Sequence, residues 1–99
     1  MKNPIKIKNQ IKTTEQKPKK YNSWISFWRA QTKSKRTVCA VNGCYNKDLV
    51  GAHVINVHGK PAKNGYIAPL CNSCNGKIND TFIVDRSLLV KIGDRDYVK

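Results

Sequence analysis

The sequence predicts a small α+β domain stabilised by zinc, with a hairpin and a helix at its centre, an aromatic helix before them and a basic arm at the N-terminus. Three observations carry this expectation. Four cysteines are set as Cys39-x4-Cys44 and Cys71-x2-Cys74 with 26 residues between the pairs. That spacing lets two thiolate pairs reach one tetrahedral Zn²⁺ and leaves enough chain for a hairpin that the metal closes at its base. The chain has 99 residues, and so small a core commonly needs a staple, which a structural metal supplies because its binding free energy is largely folding free energy. Finally, 19 Lys and Arg stand against 6 Asp and Glu, a formal net charge of +13, which points to a polyanionic partner.

Four cysteines would also suit two disulfides in a secreted miniprotein. The opening Met1-Lys2-Asn3-Pro4-Ile5-Lys6-Ile7-Lys8 has no continuous apolar stretch of the kind a signal peptide needs, and no segment nears the length of a membrane-spanning helix. Zinc is therefore the favoured reading, and the protein is expected to be soluble and cytoplasmic, in a bacterium or a phage-infected host.

The charge falls off along the chain. Residues 1–20 carry a net +6, residues 21–38 +4 and residues 39–99 +3. Residues 1–20, interrupted by Pro4 and Pro18, read as a flexible basic arm able to order on a nucleic-acid backbone, and residues 21–99 as a single zinc-bound domain. Asn22 or Ser23 suits the N-cap of a helix beginning near Trp24, and Tyr21, Trp24, Phe27, Trp28 and Gln31 recur at helical spacing. Such a stripe packs a core more often than it stacks on bases, which makes this helix a lid on the zinc module. Asn42-Gly43 supplies the tight turn of the first cysteine knuckle. Leu49 to Val57, with His53 in its middle, reads as a strand, the basic run 58–65 as a turn, and Tyr66 to Leu70 as the returning strand. Cys71-Asn72-Ser73-Cys74 is expected to open a helix running to about Asn79, as in treble-clef sites that take their second ligand pair from a helix N-terminus. Thr81 to Val84 and Leu88 to Ile92 have strand character.

The order of zinc knuckle, strand with His53, loop with Asn64, strand, and Pro69-Leu70-Cys71-Asn72-Ser73-Cys74-Asn75 resembles the HNH (His-Me finger, ββα-metal) endonucleases over roughly residues 39–80. The resemblance implies a treble-clef or ββα-metal-like core. It also implies that His53 is the general base activating water, that Asn64 orients it, and that Mg²⁺ or Mn²⁺ stabilises the leaving 3′ oxygen. Many members carry a metal ligand directly before the base and directly after the second cysteine pair, where this chain has Ala52 and Asn75. Asp80 and Asn75 are then the candidates to bind that ion. Mg²⁺ usually takes at least one protein carboxylate, which Asp80 would provide.

Three function classes follow. In the first, a zinc-binding, HNH-like module grips the phosphate backbone of DNA or RNA through Arg36, Lys60, Lys63, Lys77 and the arm lysines Lys17, Lys19 and Lys20. In the second, the chain is a metal-dependent endonuclease with His53 as base. In the third, it is a small phage-type module that binds an acidic protein. His53 also has a structural reading as a core histidine of the strand, and His58 one as a solvated loop group.

Overall fold

The computed structural model describes residues 2–10 and 17–98. The alternation Pro4-Ile5-Lys6-Ile7-Lys8-Asn9 has the period of a half-buried strand and forms β1 (Pro4–Asn9), with Ile5, Ile7 and Asn9 buried and Lys6 and Lys8 exposed. β1 pairs antiparallel on one side with β3 (Leu49–Asn56) and on the other with β5 (Thr81–Asp85). β3 forms a hairpin with β4 (Tyr66–Cys71), and β4 pairs with the short β6 (Val90–Lys91), so the sheet runs β5-β1-β3-β4-β6. Residues 4–9, expected within a flexible arm, are thus an inner strand. An isoleucine at every second position gives the chain an apolar face to bury, and that burial offsets the entropy of ordering. Lys17–Pro18 forms β2, paired with β7 (Tyr97–Val98), while residues 11–16 of the expected arm lie outside the described residues.

Helix α1 (Trp24–Thr32) begins at Ser23, whose hydroxyl accepts the Ser26 N–H, and ends at Lys33 in the left-handed region with φ 55°. Trp24, Phe27 and Trp28 are buried with Ile67 and Ile92, and Trp28 Nε1 donates to the Leu88 carbonyl at 2.9 Å. Packing therefore accounts for the aromatic stripe, although Gln31 at its end is exposed.

The two sheet faces have different partners. Ala52, Val54, Ala68 and Leu70 share a core cluster with Ile5, Ile7, Val84 and three of the cysteines, whereas Ile67 belongs to the cluster built by α1. Because successive strand residues point to opposite faces, α1 and the cysteine site lie on opposite sides of the sheet. The aromatic helix is a lid on the hairpin's other face, not on the metal site as expected. Gly51 makes this close approach feasible, since a Cβ there would collide with the backbone of Trp24 and Ile25.

The chain after the second cysteine pair also differs from expectation. Helix α2 (Asn72–Asn75) is a single turn capped at Gly76, not a helix to Asn79. Lys77 N–H donates to the Cys74 carbonyl at 3.1 Å and the chain then enters β5. A ladder of five register pairs with β1 outcompetes further turns of an isolated short helix, whose nucleation is costly. Likewise, the strand expected from Leu88 to Ile92 is shorter: Leu88 ends a turn of 3₁₀-helix (Arg86–Leu88), and β6 covers only Val90–Lys91.

Because Ile7 is fully buried in an inner strand, Ile7→Ala should lower unfolding free energy by about 2–5 kcal/mol, as large-to-small core substitutions do. Urea denaturation checks this. Removing residues 1–10 should abolish the cooperative transition altogether, the opposite of what a dispensable tail would show.

Candidate metal centre

The knuckle and the end of the hairpin bring four thiols together. The sulfurs of Cys39, Cys44, Cys71 and Cys74 all lie within 4.8 Å of one another, with Cys44 and Cys71 Sγ 3.9 Å apart and Cys44 and Cys74 Sγ 4.0 Å apart. A tetrahedral ion with metal–sulfur bonds of about 2.3 Å requires sulfur–sulfur edges of about 3.8 Å, so this cage needs only slight contraction. All four cysteines are free thiols; Cys39, Cys71 and Cys74 are buried and Cys44 is partly so. The cluster expected from the spacing is present and can hold a metal ion.

Local sequence explains how each sulfur is aimed. Gly43 takes φ +85°, which turns the knuckle between its two cysteines, and Cys44 N–H donates to the Val41 carbonyl at 3.0 Å. Ala40 N–H donates to the Pro69 carbonyl at 2.9 Å, docking the knuckle on β4. Donors then converge on sulfur: Cys71 N–H on Cys39 Sγ at 3.3 Å, Cys74 N–H on Cys71 Sγ at 3.4 Å and Asn46 Nδ2 on Cys71 Sγ at 3.5 Å. Such donors orient metal ligands and stabilise thiolate charge. Burial pushes the Cys39 and Cys74 thiols up. Burial also acts against ionisation at Cys71, but the Cys74 amide and Asn46 outweigh it and bring this thiol down to about 7. A cation at the centre would supply the positive charge that lets the remaining sulfurs ionise.

Two supporting residues escaped the sequence reading. Asn46 lies just beyond Cys44, near enough in sequence to have been suspected. Asn9 gave no such signal. From β1 its Nδ2 donates to the Cys74 carbonyl at 2.9 Å and the Lys77 carbonyl at 3.2 Å, bracing the metal loop from 65 residues away.

The residues implied by the nuclease resemblance stand on different segments of the chain. His53 is 9 % exposed on the α1 face of β3, its ring edge-to-face with Trp24 at 4.9 Å, and its Nε2 is buried without a hydrogen-bond partner. Burial pushes its pKa down to about 4. Asn64 lies three residues before Ile67, the ladder partner of His53. Its Nδ2 donates to Asp94 Oδ1 at 2.8 Å and the Ile92 carbonyl at 3.3 Å, while its Oδ1 accepts from the Tyr97 hydroxyl at 3.2 Å. Asn75 is exposed at the end of α2, and Asp80, expected on a longer helix, is exposed in the turn before β5. Among the described residues the four cysteines form the one group of three or more His, Cys, Asp or Glu side chains close enough to share an ion.

The expected phosphate contacts divide in two. Arg36 is turned inward, with Nε donating to the Val38 carbonyl at 2.8 Å and Nη2 to the Cys39 carbonyl at 3.1 Å, so it supports the knuckle. Lys63 pairs with Asp94 at 3.0 Å on the surface. Lys17, Lys19, Lys20, Lys60 and Lys77 are exposed. No helix among the described residues is long and apolar enough to cross a membrane. The chain matches no protein-family model, no curated protein and no solved structure.

Two outcomes are expected. Protein purified without chelator should carry one metal ion per chain, and Cys74→Ser should lose it along with the folded-state circular dichroism, as read by elemental analysis and spectroscopy. The second concerns His53. An unfolded imidazole titrates near its ordinary 6.5 and the folded one near 4, so the unfolded state binds more protons between these values. Stability contributed by this group is complete above pH 6.5 and is lost as pH falls towards 4. The difference in unfolding free energy between the native chain and His53→Leu should therefore vary with pH in that window and flatten outside it.

Proposed function

We propose that this chain is a zinc-binding protein that grips the phosphate backbone of nucleic acid with a lysine-bearing face of its sheet. Four thiolates in a compact cage suit Zn²⁺, which favours tetrahedral sulfur coordination in structural sites. The observation that carries the binding reading is β1. Lys6 and Lys8 are exposed and stand opposite Ile83 and Thr81 of β5. They share the sheet face of α1, which packs on β3, β4 and β6, and so present charge beside the helix from a rigid strand. Two fixed lysines pay less ordering entropy on binding than a disordered tail would. The exposed Lys17, Lys19 and Lys20 lead into α1 and extend the cationic surface.

Binding is favoured over hydrolysis because a general base must reach a proton in a water-accessible site. His53 is buried against Trp24, whereas Asp80 and Asn75 are exposed.

Affinity for duplex and single-stranded oligonucleotides, followed by fluorescence anisotropy across a salt series, tests the reading. Lys6→Ala with Lys8→Ala should weaken binding to all sequences about equally and reduce the slope of log affinity on log salt by about 2, roughly one per lost phosphate contact. Metal content should not change, because both side chains face solvent. Unchanged affinity and slope would defeat the proposal, and so would nicking of DNA with Mg²⁺ or Mn²⁺ that His53→Ala abolishes, which would establish the nuclease instead.

A further inference from the structure

Tyr45 follows a metal ligand on the knuckle and is 78 % exposed, whereas every other aromatic side chain among the described residues is buried or half-buried. It borders a cavity of about 300 Å³ whose wall also contains Arg36, Val41, Asn42, Gly43 and Asp85. The wall carries a donor and an acceptor. Arg36 spends two of its N–H groups on the Val38 and Cys39 carbonyls, which hold the guanidinium in place, and Asp85 brings a carboxylate whose Oδ1 accepts the Ser87 N–H. The cavity also adjoins the cationic face. Asp85 is the last residue of β5, and Asn42 N–H donates to the Ile83 carbonyl at 2.9 Å, so the knuckle lies along the outer edge of that strand. Ile83 is in turn the ladder partner of Lys6. Only β5 stands between β1 and the knuckle, and neighbouring strands lie about 4.8 Å apart.

We infer that a single-stranded nucleic acid crosses the sheet edge at this point, with one unpaired base stacked on the Tyr45 ring and neighbouring phosphates on Lys6 and Lys8. The inference rests on the nucleic-acid reading above and deepens it from phosphate backbone to single strand. An unpaired base offers a π-face to the tyrosine and an edge of mixed donors and acceptors to a wall that holds both Arg36 and Asp85. A phosphate or an acidic side chain in the same cavity would meet the Asp85 carboxylate, which argues for a base as the occupant. A duplex keeps its base faces stacked and is stiff over about 150 base pairs, so it cannot turn round the edge of one strand. Stacking of this kind tolerates any base, because each has a π-face.

The test uses the full metal-loaded chain and three fluorescent probes of one length: a thymine homopolymer strand, the same sugar–phosphate strand abasic throughout, and a duplex. Tyr45→Ala should weaken binding of the thymine strand roughly fivefold or more, the scale of one base–aromatic stack. Its affinity for the abasic strand and the duplex should match that of the native chain, and so should its salt slope, because no charge is lost. Tyr45→Phe, which keeps the ring, should bind all three probes as the native chain does. Metal content and circular dichroism should be unchanged in both variants, since the side chain is exposed. A Tyr45→Ala chain that binds the thymine strand as tightly as the native one, or loses as much on the abasic strand and duplex, would overturn the stacking site. The phosphate reading would then stand alone if Lys6→Ala with Lys8→Ala still weakens every probe. No binding to any of the three would remove both, and retention of the native chain on polyglutamate would then assign the surface to an acidic protein.

Discussion

The pairing of β1 with both β3 and β5 is the constraint on which the rest of the fold depends. In the sheet order this strand joins β5 to the β3–β4 hairpin. Its apolar face contributes Ile5 and Ile7 to the core cluster that also contains three cysteines. Its last residue, Asn9, supports the metal loop through two carbonyls. Its other face lifts Lys6 and Lys8 into solvent. A period-two alternation over six residues therefore couples core formation, metal-site geometry and surface charge.

The cysteine cage and α1 divide the work of stabilising the hairpin. On one face the knuckle docks on β4 and four thiols converge. On the other, three aromatic residues of α1 close over Ile67, and one of them, Trp24, meets His53 edge-to-face. On the α1 side of the sheet, Lys6 and Lys8 of β1 and Thr81 and Ile83 of β5 are exposed. The same arrangement holds the pKa of the hairpin histidine down, because burial disfavours the imidazolium.

Asparagine amides carry much of the polar organisation. Asn46 reaches a cysteine sulfur, Asn9 reaches the metal loop, and Asn64 joins the turn of the hairpin to the C-terminal segment through Asp94, Ile92 and Tyr97. Each amide can donate and accept at once, which lets one short side chain join two backbone segments. Asp48 plays a related part by accepting from the backbone and side-chain amides of Asn72 at the start of α2.

The sequence by itself determined the α+β class, the cysteine quartet, a hairpin over about 49–57 and 66–70, and a packing aromatic helix that begins near Trp24 behind Asn22 or Ser23. These features are written in local spacing: paired cysteines, period-two runs, a cap before a period-3.6 stripe. Tertiary structure alone decided which partners the local elements found. Residues 4–9 carry the alternation of a strand, but lysine density masked it, and only the presence of edges on both β3 and β5 made the strand form. Helix α2 stops after one turn because β5 is recruited by β1. Arg36 faces the knuckle carbonyls rather than solvent, and His53 faces Trp24, because the pleat and the docking of α1 fix those directions. Contacts between residues as distant as Asn9 and Cys74 depend on the whole sheet assembling, and no spacing within the sequence encodes them.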